Sequence, residues 1–160
     1  GGKCGASAPD HLHFQAAYFQ DAPGLYDTTG WYDLPYEKYI FFARDKEELD
    51  RKMGEIMEEL SHLPENSGEE EPRVNVFMKN RVDEDGYYSH DTLGVDVLVI
   101  PRRAHRPSCY GTGEENFMIS PGAVDVCGTI IVPRKEDFDR LDEKALERIL
   151  RETTYFLDGE

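Results

Sequence analysis

Long apolar runs are missing from this chain, and positive charge is scarce. No stretch approaches the roughly 18 residues that a membrane span needs, and no signal peptide is visible. Lys and Arg number 18 against 33 Asp and Glu, a formal net charge of −15. That balance argues against a nucleic-acid backbone or an anionic membrane as the main partner. An anionic substrate would need a local cluster of Arg, Lys or backbone N–H groups. The three cysteines, Cys4, Cys109 and Cys127, are an odd count with no CxxC spacing, which suits a reducing compartment better than a disulfide framework. These absences together predict a soluble, cytoplasmic protein.

What is present fits one domain. The chain has 160 residues, 39% of them hydrophobic and 11% aromatic, enough to bury a core without covalent staples. It begins on a Gly-rich loop rather than on Met, and is expected to be a piece of a longer protein. "HLHFQAAYF" alternates, with Leu12, Phe14, Ala16 and Tyr18 on one face and His11, His13, Gln15 and Ala17 on the other, the pattern of a strand. Residues 21–37, rich in Pro, Gly and Asp, read as an ordered loop or short hairpin, and "KYIFFA" reads as a strand.

Asp45 with Glu48 three residues on makes a D-x-x-E capping box, and Leu49, Met53, Ile56, Met57 and Leu60 form one apolar helical stripe, read as core. "HLPENSGEEEP" reads as a solvated acidic loop with the composition of a disordered segment. "RVNVFMK", "VDVLVIP" and "CGTIIVP" have strand length and β-branched content, "DEDGYYSHDTLG" turns between the first two, and "NFMIS" is a short further candidate. At the end, Leu146, Ile149, Leu150 and Thr153 repeat at helical spacing behind an Asp142 cap. Strands in the middle and helices around them predict an α+β fold, a mostly antiparallel sheet with flanking helices. There is no internal repeat or sign of a second core.

On a strand, residues two apart share a face roughly 6.5–7 Å apart, so His11, His13 and Gln15 form one polar row. The plain reading is an amphipathic strand with a polar outer face. The loop before it, "GASAP", adds more: small residues Gly5 and Ala6 where backbone N–H groups can approach an anion, and the Ser7 hydroxyl. Imidazole is nucleophilic near neutral pH when a hydrogen bond fixes its tautomer. A Gln amide two residues on can donate to a phosphoryl oxygen as charge develops there.

"GASAPDHLHFQ" resembles the active-site signature of the transferase and phosphorylase branch of the histidine-triad superfamily. That branch holds galactose-1-phosphate uridylyltransferases, diadenosine tetraphosphate phosphorylases and GDP-hexose phosphorylases. "VNVFMKN", "VLVIPRRAHRP" and "MISPGAVDVCGTIIVPRKEDF" resemble the second half of such phosphorylases, so the similarity spans nearly the whole chain, with the sharp motif in the first fifteen residues. The resemblance implies that His13 is the nucleophile taking a nucleoside monophosphate, that Gln15 holds the phosphoryl group, and that Ser7 contacts phosphate. His11 matches the first histidine, which in some uridylyltransferases helps to hold a structural metal. A structural zinc through His11 is thus implied as an option, with Cys4 a conceivable further donor, although a tetrahedral site needs four. Asp10 before His11 departs from the family's usual Pro-His join. The resemblance further implies a histidine-triad-like fold in which residues 1–19 carry the active-site loop and strand, and in which an N-terminal half with much of the nucleotide pocket is missing. A homodimer or a complementing N-terminal half would then be a natural partner, pairing at an exposed sheet edge.

"PRRAHRPSCYGTG" concentrates Arg102, Arg103, His105 and Arg106 in an acidic chain. Arg102 and Arg103 are candidate phosphate ligands through planar bidentate donors; alternatively these arginines pair with surplus carboxylates. "SPGAVD" and "YGTG" read as turns, and His62 and His90 as exposed. The expected function is a nucleotidyltransferase or phosphorylase acting on a nucleoside diphosphate sugar or a dinucleoside polyphosphate, with no redox cofactor. Its rivals are a histidine-triad hydrolase, which usually carries a third His where this chain has Gln15, and a non-catalytic nucleotide-binding or interaction module.

Overall fold

The computed structural model describes residues 28–81 and 94–157. Three strands, β1 (Tyr39–Ala43), β2 (Val74–Asn80) and β3 (Val95–Pro101), form an antiparallel sheet in the order β1-β3-β2. Four helices flank them among the described residues: α1 (Lys46–Ser61), α2 (Ala123–Val126), α3 (Lys135–Arg140) and α4 (Glu143–Thr153). This is the α+β architecture with an antiparallel sheet that the order of segments predicts. Residues 1–19, where the sequence predicts the active-site loop and strand, and nearly all of "DEDGYYSHDTLG" lie outside the described residues.

The unbroken "VLVI" of β3 follows from its position. A central strand covered on both faces has no solvent side, so apolar residues need not alternate with polar ones. Val97 and Val99 pack on Ile56 and Leu60 of α1, whereas Leu98 and Ile100 face Trp31, Val126 of α2 and Leu150 of α4. All four β3 residues are fully buried, a state that stabilises by about 1.5–3 kcal/mol per side chain. A third cluster joins Cys109, Ile119 and Ile149 beyond the sheet.

The helix ends follow their caps. Asp45 accepts from the Glu48 N–H at 2.8 Å, and Asp142 from the Ala145 N–H at the same distance, each satisfying a first-turn donor that has no intrahelical acceptor. The stripe from Leu49 to Leu60 packs on the sheet, and Ile149, Leu150 and Thr153 are buried along α4 as their spacing predicts.

Three expectations are corrected. "CGTIIVP" is not a strand: Gly128 takes a positive φ of 100°, and the Ile131 N–H is held by Asp125 Oδ1 at 2.7 Å instead of by a neighbouring strand. "NFMIS" makes only an isolated parallel bridge, Tyr110 with Phe117, because the Met118 N–H donates to buried Asp137 Oδ2 at 2.8 Å. "HLPENSGEEEP" is ordered. It forms a 3-10 turn over Pro64–Asn66, and buried Asn66 donates to the Leu60 carbonyl while accepting from the Arg73 N–H.

Candidate functional site

The carbonyl ends of β3 and α4 meet where the chain leaves the sheet. Arg102 bridges Thr154, the Arg103 N–H donates to the Thr153 carbonyl at 3.1 Å, and Ser108 offers both its N–H and its hydroxyl to the Glu152 carboxylate. The 103–108 loop is thereby sewn along α4. Between them opens a cleft of about 860 Å³, and the cations Arg103, Arg106, Lys144, Arg148 and Arg151 line it together with Glu65, Glu147 and Glu152. Five cations against three carboxylates is a local reversal in a chain of net charge −15.

The helix period builds one wall. Lys144, Arg148 and Arg151 recur at i, i+4 and i+7, the spacing of a single helix face, opposite to buried Ile149, Leu150 and Thr153. Arg148 is held by Glu152 at 2.9 Å and reaches the Ser108 hydroxyl at 3.1 Å, and Arg151 pairs with Glu147 at 2.8 Å. Burial pushes the Glu152 carboxyl up, yet the Ser108 N–H, the Arg148 guanidinium and the Ser108 hydroxyl together bring it below the usual glutamate value.

Aromatic rings hold the arginines without using up their N–H donors. Arg103 lies over Tyr155 at 5.5 Å, Arg106 over Tyr110 at 4.1 Å, and Arg151 over Phe156 at 4.4 Å. Arg103 approaches Glu65 only at 3.9 Å. Among the described residues neither Arg106 nor Lys144 forms an ion pair with a carboxylate, and buried Arg106 Nε meets no acceptor. Pairing with surplus carboxylates therefore accounts for the helix arginines better than for Arg103 and Arg106.

The adjacent arginines of the sequence motif part ways. Arg103 lines the cleft, half-exposed, whereas Arg102 is fully buried, donating to Asn75 Oδ1 at 3.1 Å and to the Ala104 carbonyl at 3.4 Å. Alternation along the extended chain leaving β3 separates them, since successive side chains point to opposite sides. Gly5, Ala6, Ser7, His11, His13 and Gln15 lie outside the described residues, as do Cys4 and His90. His62 caps α1 and is exposed, as expected.

Among the described residues no group of three or more His, Cys, Asp or Glu side chains is placed to hold a metal ion. Cys109 and Cys127 are free, buried thiols, and burial raises both, Cys127 to about 12. Neither has the thiolate character of a nucleophile. No described helix is long and apolar enough to cross a membrane.

Sequence reasoning missed Lys144, Arg148 and Arg151 as site residues. The signal was present in the same period that marks the apolar stripe of α4. What gives those cations a meaning is the loop laid beside them, a tertiary fact. Comparison with protein-family models, with curated proteins and with solved structures finds no significant match to this chain.

Proposed function

We propose that the chain is a nucleotidyl-transferring enzyme of the phosphorylase type, acting through a covalent nucleotidyl-histidine on His13. The observation that carries this reading is the run "GASAPDHLHFQ", residues 5–15, in which small residues and a hydroxyl precede His-x-His-x-Gln. Its resemblance to the transferase and phosphorylase branch of the histidine-triad superfamily supplies the roles, and the α+β architecture is of the class that this resemblance implies.

In the first step the unprotonated nitrogen of His13 attacks the α-phosphorus of a nucleoside diphosphate sugar or a dinucleoside polyphosphate. A P–N bond forms, the bridging P–O bond breaks, and the sugar phosphate or nucleotide leaves with the electron pair. Gln15 donates its amide N–H to the phosphoryl oxygen on which charge builds, a stabilisation strongest in the transition state. Ser7 and the backbone N–H groups of Gly5 and Ala6 hold a neighbouring phosphate, and the alternation of "HLHFQ" predicts His11 on the same face as His13. In the second step an oxygen of inorganic phosphate or of a sugar phosphate attacks the same phosphorus and the P–N bond breaks. Splitting the displacement gives two easier steps and ping-pong kinetics. Gln15 stands where histidine-triad hydrolases usually carry a third histidine, which favours transfer over hydrolysis.

The reading is tested on the His13→Ala variant. Turnover with nucleotide sugars and dinucleoside polyphosphates is expected to be lost while the circular dichroism spectrum is unchanged. A variant that keeps full activity refutes the assignment.

A further inference from the structure

We propose that the cleft between the 103–108 loop and α4 is a binding site for an oligophosphate anion, gripped by Arg106 and Lys144 with Arg103 at its rim. The proposal stands on the cleft alone and does not depend on chemistry at His13.

Charge is the first argument. A net charge of −15 disfavours anions on the whole, so five cations gathered along one concavity stand against the balance of the chain. The carboxylates that share the cleft do not cancel it. Glu147 is engaged by Arg151, and Glu152 by Arg148 and both donors of Ser108. Arg106 and Lys144 are left with no carboxylate among the described residues, and the 3.9 Å contact of Arg103 with Glu65 is long enough for a stronger anion to displace.

Preorganisation is the second. Arg106 is fixed over Tyr110 and Arg103 over Tyr155, so little side-chain freedom remains to be lost on binding. Guanidinium groups held in this way present forked donors that match phosphate oxygens.

Shape selects the ligand. About 860 Å³ lies within the range of small-molecule sites and far exceeds the room one phosphate needs. The cations stand on two walls, Arg103 and Arg106 on the loop and Lys144 on the helix, so an anion with several linked charges neutralises both where a single phosphate meets one. The strongly acidic remainder of the chain disfavours a nucleic acid. Free oligophosphate and the phosphate chain of a nucleotide share this chemistry.

The test is titration calorimetry at low ionic strength with inorganic tripolyphosphate, a nucleoside triphosphate and the corresponding nucleoside. We expect saturable binding of tripolyphosphate, of the nucleoside triphosphate or of both, and none of the nucleoside. Lys144→Gln and Arg106→Gln are each expected to weaken it about tenfold, the loss of one charge-assisted contact. Lys46→Gln, an exposed cation of α1 outside the cleft lining, is expected to leave it unchanged. Equal affinities for the two phosphates assign free oligophosphate as a ligand, and a preference for the nucleoside triphosphate assigns a nucleotide. Lys144 is exposed, so its variant reports on the cleft even where Arg106→Gln disturbs folding. Absence of saturable binding, or binding that depends on His13 and is indifferent to Lys144 and Arg106, overturns the proposal.

Discussion

Asp125 replaces a strand with a pinned loop, and removing it shows how much that pin contributes. Its carboxylate is buried and accepts the Gly122 N–H at 2.8 Å and the Ile131 N–H at 2.7 Å, closing the segment that leads from "SPGAVD" into "CGTIIVP". Asp125→Ala leaves both donors without an acceptor, at about 1–3 kcal/mol each. The amides are only partly buried, and burial holds the Asp125 carboxyl above its usual value despite these bonds, so desolvating it already offsets part of the gain. The expected cost is therefore at the low end, about 2–3 kcal/mol. Asp125→Asn keeps one acceptor oxygen and is expected to cost about half as much. The chain's single tryptophan, Trp31, is buried in the same core cluster as Val126, so urea unfolding followed by its emission reads the loss directly. An Asp125→Ala variant within about 0.5 kcal/mol of the parent, the range of inconsequential surface changes, would refute the view that this carboxylate organises the loop.

Two other perturbations follow from the same physics. Gly94, directly before β3, has a φ of 70°, and a Cβ there would lie 2.4 Å from the Ala43 carbonyl oxygen and 2.6 Å from the Phe42 ring. Gly94→Ala is therefore expected to destabilise by at least about 2 kcal/mol, combining left-handed strain with overpacking, as measured by the urea midpoint. Glu48 is pulled down to about 2, first by the Arg44 N–H and then by the side chains of Lys52 and Arg44. A folded value below the ordinary 4.5 gives stabilisation that is complete above 4.5 and lost as pH falls towards 2. Thermal melts of Glu48→Gln are expected to show a shallower acid decline than the parent, and equal slopes would contradict this.

Local signals carried much of the fold. The Asp45 and Asp142 caps, the stripe of α1 and the unbroken apolar run of β3 each encode their own element, and each is where the pattern puts it. The failures share a cause. "CGTIIVP" and "NFMIS" have strand composition, but buried carboxylates just outside them, Asp125 six residues before Ile131 and Asp137 19 residues after Met118, take N–H groups a neighbouring strand would have used. The acidic run after α1 looks like solvent-facing chain, and Asn66 orders it by reaching Leu60 and Arg73.

The site was legible in part. The "PRRAHRP" cluster was visible as charge in an acidic sequence, and Arg103 and Arg106 do line the cleft. Arg102 shares their composition but is buried on the other side of the extended chain, a distinction that depends on register. The helix cations enter only through tertiary packing.

The most direct measurement of the central claim is intact-protein mass spectrometry after mixing the chain with GDP-, UDP- and ADP-sugars and dinucleoside polyphosphates, beside the His13→Ala variant. A mass gain of one nucleoside monophosphate is expected on the parent and none on the variant. An adduct that survives in His13→Ala, or no adduct with any donor, would contradict it.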